Sequence, residues 1–201
     1  MYSKPIFNNK PNDRISVRYQ TQNNIQYIDY WISRSMAVDG LIIIKYKNIL
    51  YCLIVKRSKK IKDEPLKYCI PCGYLDFNET LFDAMIREVY EETGFYINNY
   101  QNCIINDNQK PFIIKDDPKY FKQNVSFIYL TLMDFDKYNY ELPLYVKDHD
   151  TWETEYAEWM KITDLYKNNF MNNQFAFNME ETIKKAVDYI TDNKIFDEKR
   201  D

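Results

Sequence analysis

Three glutamates with helical spacing are the residues of this chain that are best suited to chemistry. Glu91 and Glu92 follow Glu88 by three and four residues. An α-helix would therefore place the three side chains on one face. Like charges at this spacing cost about 0.2 to 0.5 kcal/mol, and acidic groups late in a helix oppose its dipole. Divalent cations would reverse both effects. Carboxylate oxygens suit Mg²⁺, with Mn²⁺ as an alternative, and the single histidine, His149, offers little to softer metals.

The three glutamates belong to a longer pattern between Gly73 and Phe95, which reads GYLDFNETLFDAMIREVYEETGF. It matches G-x5-E-x7-R-E-U-x-E-E-x-G-U, where U is a bulky apolar residue, and therefore resembles the signature of the Nudix hydrolase family. The chain has three glycines, and two of them, Gly73 and Gly94, stand where the pattern requires glycine. An isolated acidic run would more often be a solvated helix face, but the complete pattern favours a chemical role.

The resemblance implies a role for several residues of the pattern. Glu88, Glu91 and Glu92 would bind one to three Mg²⁺ or Mn²⁺ ions, and Gly73 would contribute a backbone carbonyl. Arg87 would orient a carboxylate, and Glu91 is one turn beyond it. We expect Glu91, Glu92 and Arg87 to take part in catalysis.

Glu79 belongs to the same pattern but has a different expected role. At the start of the helix, it would fix the preceding loop through a salt bridge or a hydrogen bond. A first-turn acid favoured by the helix dipole accounts for Glu79 nearly as well.

The resemblance also implies a reaction, the hydrolysis of the pyrophosphate bond of a nucleoside diphosphate linked to another moiety X. Water would attack phosphorus while a carboxylate takes its proton and divalent ions neutralise the phosphates. Members of the family take this base from the motif helix or from a later loop. The later candidates here are Glu153 and Glu155. We prefer Glu155 because Trp159 follows it by four residues, as in the segment where the family often places an extra metal ligand.

The identity of X is less well specified by the sequence. Pro111 lies sixteen residues after Phe95, a spacing that resembles the ADP-ribose pyrophosphatase subgroup. Arg57 and Arg34 are candidates for contact with phosphate. ADP-ribose or an NDP-sugar is therefore preferred to a dinucleoside polyphosphate. The alternative is a non-catalytic sensor of the same fold that binds an ADP-ribose-like ligand and regulates a partner.

Composition limits the classes of binding partner and the cellular compartment that we expect. The 201 residues carry a net charge of −3, which does not favour a long nucleic acid. The expected ligand is a small nucleotide-derived substrate. No run is long and apolar enough for a membrane span, and the N-terminus does not have the apolar core of a signal peptide. We expect a cytoplasmic protein, and the resemblance also allows a homodimer.

The four cysteines include one C-x2-C pair, Cys69 and Cys72. The second half of a zinc site is missing, because Cys52 and Cys103 are isolated in sequence. Buried or half-buried free thiols are therefore expected, and a zinc site is the less favoured alternative.

The remaining elements predict an α/β protein of the Nudix fold, with a mixed β-sheet sandwiched between α-helices. The motif helix would start at Asn78 as N-cap and end at Gly94, and residues 41–46 and 49–55 have the spacing of a hairpin. Residues 1–34 are predicted to form an N-terminal extension, packed on the core or partly frayed. Residues 35–201 would form the Nudix domain with its C-terminal helix. Further segments predicted as strands or helix are 67–75, interrupted by Pro71, and 112–114, 125–133, 156–162 and 179–191.

Overall fold

The structure is a computed structural model, and it describes residues 14–20, 25–31, 34–117, 124–143, 152–165 and 174–197. The chain divides into two compact units, Met1–Ser35 and Met36–Asp201. In the first unit, β1 (Arg14–Gln20) pairs with β2 (Ile25–Trp31) in an antiparallel ladder. Along the described residues, no helix is both long enough and apolar enough to cross a membrane.

The second unit is built on a seven-stranded mixed sheet in the order β5-β4-β3-β8-β7, with β6 paired to β3 and β9 paired to β4. Its strands are β3 (Met36–Tyr46), β4 (Ile49–Arg57), β5 (Tyr68–Cys69), β6 (Cys72–Tyr74), β7 (Ile113–Lys115), β8 (Val125–Asp134) and β9 (Thr154–Lys161). Its α-helices are α1 (Leu81–Thr93), α2 (Ile162–Leu165) and α3 (Met179–Asp192).

The central strand β3 explains how the site comes to lie at one end of the sheet. β8 runs parallel to β3 along nearly its whole length, from Met36↔Val125 to Lys45↔Asp134. The opposite edge of β3 is shared by two strands, since residues 43–46 pair with β4 and residues 37–39 pair with β6. β4 and β3 therefore diverge, and β6 fills the gap with the residues that begin the motif.

Helices cover both faces of this sheet. Met85 and Val89 of α1 are fully buried in one cluster with Val38 and Ile42 of β3. Gly40 lets the helix approach closely, because a Cβ at this position would overlap the Val89 side chain. On the other face, Ile183, Ala186 and Ile190 of α3 share a second buried cluster with Leu41 and Ile43. The predicted fold, a mixed sheet between helices, is confirmed.

The element predictions hold except at some ends. Lys47 and Asn48 form the predicted two-residue turn, with φ of 51° and 56°, and Tyr46 pairs with Ile49 across it. Ile162, predicted to end a strand, is instead the first residue of α2.

The predicted N-cap was wrong. Thr80 caps α1 and accepts a hydrogen bond from Asp83 N, whereas Asn78 lies two residues earlier with φ of 67°.

Candidate active site

Helix α1 begins and ends at residues that fix its orientation. Thr80 Oγ1 accepts a 3.1 Å hydrogen bond from Asp83 N, which satisfies one of the unpaired amides of the first turn. At the other end, Gly94 has φ of 74° and donates its N–H to Tyr90 O. This left-handed conformation suits glycine, so the helix stops directly after Glu91 and Glu92 and leaves them near its end.

The three motif glutamates line one open cleft of about 220 Å³, together with Trp152 and Glu153. Glu88 and Glu92 are buried, whereas the side chain of Glu91 is more than half exposed. Four carboxylates and one indole thus form the lining. Such a surface is unfavourable for an anion on its own and favourable for cations.

Glu92 is held by hydrogen bonds to both of its oxygens. Cys72 N donates to Oε2 at 2.9 Å and Thr154 Oγ1 donates to Oε1 at 3.2 Å, so β6 and β9 fix the carboxylate between them. Burial raises the pKa of Glu92 to about 8, and the nearby charges of Glu88 and Glu153 add to the shift. A negative charge on Glu92 is therefore unfavourable in this cleft unless a cation accompanies it.

Glu88 lies against the backbone of Gly73. A Cβ at Gly73 would overlap the Glu88 carboxylate, so only glycine leaves room for it there. Burial raises the pKa of Glu88, an effect that the Arg87 guanidinium opposes and that the charges of Glu91 and Glu153 reinforce. The spacing of glycine and glutamate in the motif thus corresponds to a direct fit of the two residues.

Arg87 links the loop before the helix to the carboxylates on it. Its Nε and NH2 donate to the two oxygens of Glu79, at 3.0 and 2.7 Å, and NH2 also donates to Tyr74 O at 3.0 Å. Its NH1 donates to Glu88 Oε1 at 2.7 Å and to Glu91 Oε2 at 3.1 Å. These contacts, above all those with Glu79, raise the pKa of Arg87 further. Glu79 therefore fixes the loop through a salt bridge, and Arg87 positions two carboxylates.

A divalent cation would fit the chemistry of this cleft. The donors are hard oxygens, as Mg²⁺ and Mn²⁺ require, and NH1 of Arg87 already places one positive group between Glu88 and Glu91. Among the described residues, however, no three acidic, histidine or cysteine side chains are gathered closely enough to hold a metal ion together. Metal binding would require Glu91, the exposed member, to exchange its contact with Arg87 for the ion. Exposed ion pairs at this helical spacing contribute only about 0.3 to 0.5 kcal/mol, so the exchange costs little.

Comparison with protein families identifies the domain. The model of the NUDIX domain matches residues 34–183. The chain belongs to the NUDIX domain family. This assignment confirms the family predicted from the motif, and with it the prediction of an enzyme of the Nudix pyrophosphohydrolase class. No curated protein matches the chain.

Several solved structures share the Nudix fold with this chain. The NUDIX domain of NrtR from Shewanella oneidensis, complexed with ADP ribose, is 16% identical, with a TM-score of 0.56 over 80% of this chain and 90% of that one. NrtR complexed with a 27mer DNA is 17% identical, with a TM-score of 0.55 over 78% of this chain and 62% of that one. At these identities the likeness shows the fold alone.

Two enzyme structures are similar to the chain at the same level. A bifunctional NMN adenylyltransferase/ADP ribose pyrophosphatase from Francisella tularensis, complexed with AMP and a Mn ion, is 19% identical with a TM-score of 0.56. The match covers 78% of this chain and 42% of that one. The Ap4A hydrolase of C. elegans is 15% identical with a TM-score of 0.52, and the match covers 79% of this chain and 99% of that one.

The later acidic residues of the Nudix domain are arranged differently from what the sequence suggested. Glu153 lines the cleft, and among the residues that the structure describes Glu155 is not part of the lining. The reason is a β-bulge in β9, where Arg57 pairs with Thr154 and Lys56 pairs with Tyr156, which leaves Glu155 as the extra residue. In a regular strand Glu153 and Glu155, two residues apart, would share a face. Bulges redirect side chains, and this one separates the two glutamates.

Two of the three residues predicted to bind substrate, Arg57 and Pro111, are likewise not part of the cleft lining. The guanidinium of Arg57 donates to Asp63 O at 3.0 Å and stacks on the Phe177 ring at 4.7 Å. Pro111 lies two residues before β7, and Arg34 belongs to the N-terminal unit. Their role in substrate binding stays a prediction.

Sequence reasoning missed Thr154 and the amide of Cys72 as partners of Glu92. A threonine directly after Glu153 was the available signal for the first. The amide of Cys72 had no signal, because any residue type supplies a backbone N–H.

Proposed function

We propose that this Nudix domain catalyses the Mg²⁺-dependent hydrolysis of the pyrophosphate bond of a nucleoside diphosphate linked to another moiety, with ADP-ribose or an NDP-sugar as the favoured substrate. The observation that supports this proposal is that Glu88, Glu91, Glu92 and Glu153 line the same open cleft. A pyrophosphate is doubly anionic, so it can enter such a cleft only together with cations. Mn²⁺ is the alternative ion.

The motif residues would hold the metal. Glu88, Glu91 and Glu92 would offer carboxylate oxygens, and Gly73, which lies against the Glu88 carboxylate, would offer its backbone carbonyl. Bound divalent ions supply charge neutralisation for the bridging phosphates and acidify a coordinated water. Glu92 is fixed by Cys72 and Thr154 and therefore provides the pre-oriented donor, whereas the exposed Glu91 can adjust to the ion.

Glu153 is the carboxylate that we propose as the base outside the motif helix. It faces the cleft, and its charge raises the pKa of both Glu88 and Glu92, so it lies close to both. Ser58 N donates to Glu153 O at 2.8 Å, which fixes the backbone before the bulge. From this position Glu153 would take the proton of the attacking water.

Two features favour a nucleotide-derived substrate. Trp152 presents an indole, 70% exposed, at the same cleft, and an aromatic face of this kind stacks on nucleobases. The similar structures include one complexed with ADP ribose and one complexed with AMP and a Mn ion.

Four free cysteines and no disulfide among the described residues agree with the proposed cytoplasmic location.

Regulation by ligand binding is the second candidate function. The similarity to NrtR, which has been solved with ADP ribose and with DNA, favours it. Against it, this chain keeps every carboxylate of the motif, and its net charge of −3 does not favour DNA. Hydrolysis is therefore the function that the cleft supports better.

The decisive experiment incubates the protein with Mg²⁺ and a panel of ADP-ribose, NDP-sugars, diadenosine polyphosphates and NADH, with products read by mass. We expect a nucleoside monophosphate and a sugar phosphate from the favoured substrates. Glu91→Gln and Glu92→Gln should lower turnover by several orders of magnitude. Tight binding of ADP-ribose without any product would instead support the sensor.

Glu153→Gln and Glu155→Gln form a matched pair for the base. The two changes are chemically identical and two residues apart, but only Glu153 lines the cleft. We expect Glu153→Gln to lower kcat by about 100-fold or more, and Glu155→Gln to leave it near the wild-type value. The reverse ranking would return the role to Glu155.

A further inference from the structure

The C-x2-C pair has no role in the hydrolysis described above, yet its two thiols are neighbours. Cys69 of β5 and Cys72 of β6 have their Sγ atoms 3.6 Å apart, and both are free. A disulfide requires about 2.0 Å, so an approach of roughly 1.5 Å would join them. A shared metal site is not supported, because the described residues provide no third acidic, histidine or cysteine side chain to complete one.

The segment that carries these thiols also holds the carboxylates of the cleft. Cys72 N donates to Glu92 Oε2 at 2.9 Å. The next residue, Gly73, lies directly against the Glu88 carboxylate. On the other side of Cys72, Pro71 O accepts a 2.9 Å hydrogen bond from Gly40 N. Any displacement of Cys72 is therefore passed to two of the three motif glutamates.

Strand pairing limits how the two cysteines can approach each other. Cys69 is paired with Val55 of β4, whereas Cys72 is paired with Asp39 of β3. The two thiols thus belong to strands that are attached to diverging parts of the sheet. Since β6 has three residues and β5 only two, these short strands are the parts that will move when the sulfurs are drawn together.

We propose that Cys69 and Cys72 are a redox modification site, at which a peroxide forms a disulfide that displaces β6 and lowers the affinity of the cleft for divalent ions. The proposed formation of the disulfide is argued only from the short distance between the two Sγ atoms. Its effect on the cleft rests on the proposed function, because it assumes that Glu88 and Glu92 bind the ions. Loss of a group that orients a metal ligand typically costs tenfold to a hundredfold in metal affinity, and we expect a loss of about that size.

The reaction balances with hydrogen peroxide as the only co-reactant. The half-buried Cys72 is the accessible thiol, while Cys69 is fully buried. Cys72 reduces the peroxide and becomes a sulfenic acid with release of one water. The Cys69 sulfur then attacks the Cys72 sulfur, the S–S bond forms, and the hydroxyl leaves as a second water. Two thiols are oxidised and one peroxide is reduced. Because Cys69 is fully buried and Cys72 is half-buried, peroxide reaches the pair with difficulty and the oxidation will be slow.

The test treats the whole protein with hydrogen peroxide over hours and maps disulfides by peptide mass under non-reducing conditions. Mn²⁺ affinity and hydrolysis are measured before oxidation, after it, and after reduction with dithiothreitol. We expect one intramolecular Cys69–Cys72 disulfide, a mass lower by two hydrogen atoms, and weaker Mn²⁺ binding that reduction restores.

Two variants make the result specific. Cys69→Ala should keep the Mn²⁺ affinity of the reduced protein and lose the response to peroxide. Cys52→Ala, at another fully buried thiol, should keep both. The proposal is overturned if the two peptides are never cross-linked, or if the disulfide forms and Mn²⁺ affinity does not change. A protein that forms the disulfide and loses Mn²⁺ affinity but hydrolyses nothing would refute the proposed substrate chemistry and leave the redox site intact.

Discussion

Gly73→Ala tests the fit between the motif glycine and the motif helix. The added Cβ would overlap the Glu88 carboxylate. That carboxylate is the far end of a flexible side chain, so it will rotate away and break its 2.7 Å contact with Arg87 NH1. Arg87 retains its bonds to Glu79 and Tyr74. We therefore expect a stability loss of about 1 to 3 kcal/mol, the typical cost of one charged hydrogen bond.

The effect of Gly73→Ala on metal binding should be much larger than its effect on the fold. Glu88 would no longer be oriented, and we expect Mn²⁺ affinity to fall about tenfold to a hundredfold. Neither Gly73 nor Gly40 has positive φ, so alanine strains the backbone at neither position. The loss at Gly73 is therefore not due to backbone strain, and we attribute it to the overlap with Glu88.

Gly40→Ala is the matched control. Its Cβ would overlap Val89 in the core, and overpacking of this kind also costs about 1 to 3 kcal/mol, but no carboxylate is touched. Isothermal titration with Mn²⁺ and urea unfolding of both variants separate the two effects. Equal Mn²⁺ affinity in Gly73→Ala and Gly40→Ala would refute the argument that glycine is required here for the sake of Glu88.

Three further variants test other parts of the site and the core. Thr154→Val removes the hydroxyl that donates to Glu92 Oε1, and we expect Mn²⁺ affinity to fall about tenfold with the circular dichroism spectrum unchanged. Arg87→Lys cannot reproduce the two-bond contact with Glu79, so urea unfolding should show a loss of at least about 1.5 kcal/mol. Burial raises the pKa of Asp39 from 3.8 to about 7, so the folded state binds more protons than the unfolded state between these values. Deprotonation of Asp39 therefore lowers the free energy of unfolding as pH rises from about 4 to 7, by about 1.4 kcal/mol per pH unit. Asp39→Asn should flatten the pH dependence in this window relative to wild type, and parallel curves would contradict the assignment.

The fold and the core of the site could be predicted because their signals are local. Helical spacing alone places Glu88, Glu91 and Glu92 on one face, and the C-cap glycine Gly94 marks where the helix stops. The N-cap could not be chosen in the same way. Asn78 and Thr80 are both good capping residues, and the choice depends on the loop that Arg87 and Glu79 hold.

The residues outside the motif were harder to assign because their positions depend on strand pairing. Glu153 and Glu155 have the same chemistry and differ only through the bulge opposite Lys56 and Arg57, which no local pattern reveals. The strands β1 and β2 were likewise missed, because residues 1–34 were predicted only as an extension. Alternation of apolar residues such as Ile15, Val17 and Tyr19 was the signal that should have weighed more.

Mn²⁺ titration of the wild type and of a Glu88→Gln/Glu91→Gln/Glu92→Gln triple variant tests the central claim most directly. Paramagnetic resonance of free Mn²⁺ reports binding without any assumption about the substrate. The cleft geometry predicts that the wild type binds the ion and that the triple variant, still folded, loses this binding while it keeps Glu153. Unchanged Mn²⁺ binding in a folded triple variant would contradict a metal site built from the motif glutamates.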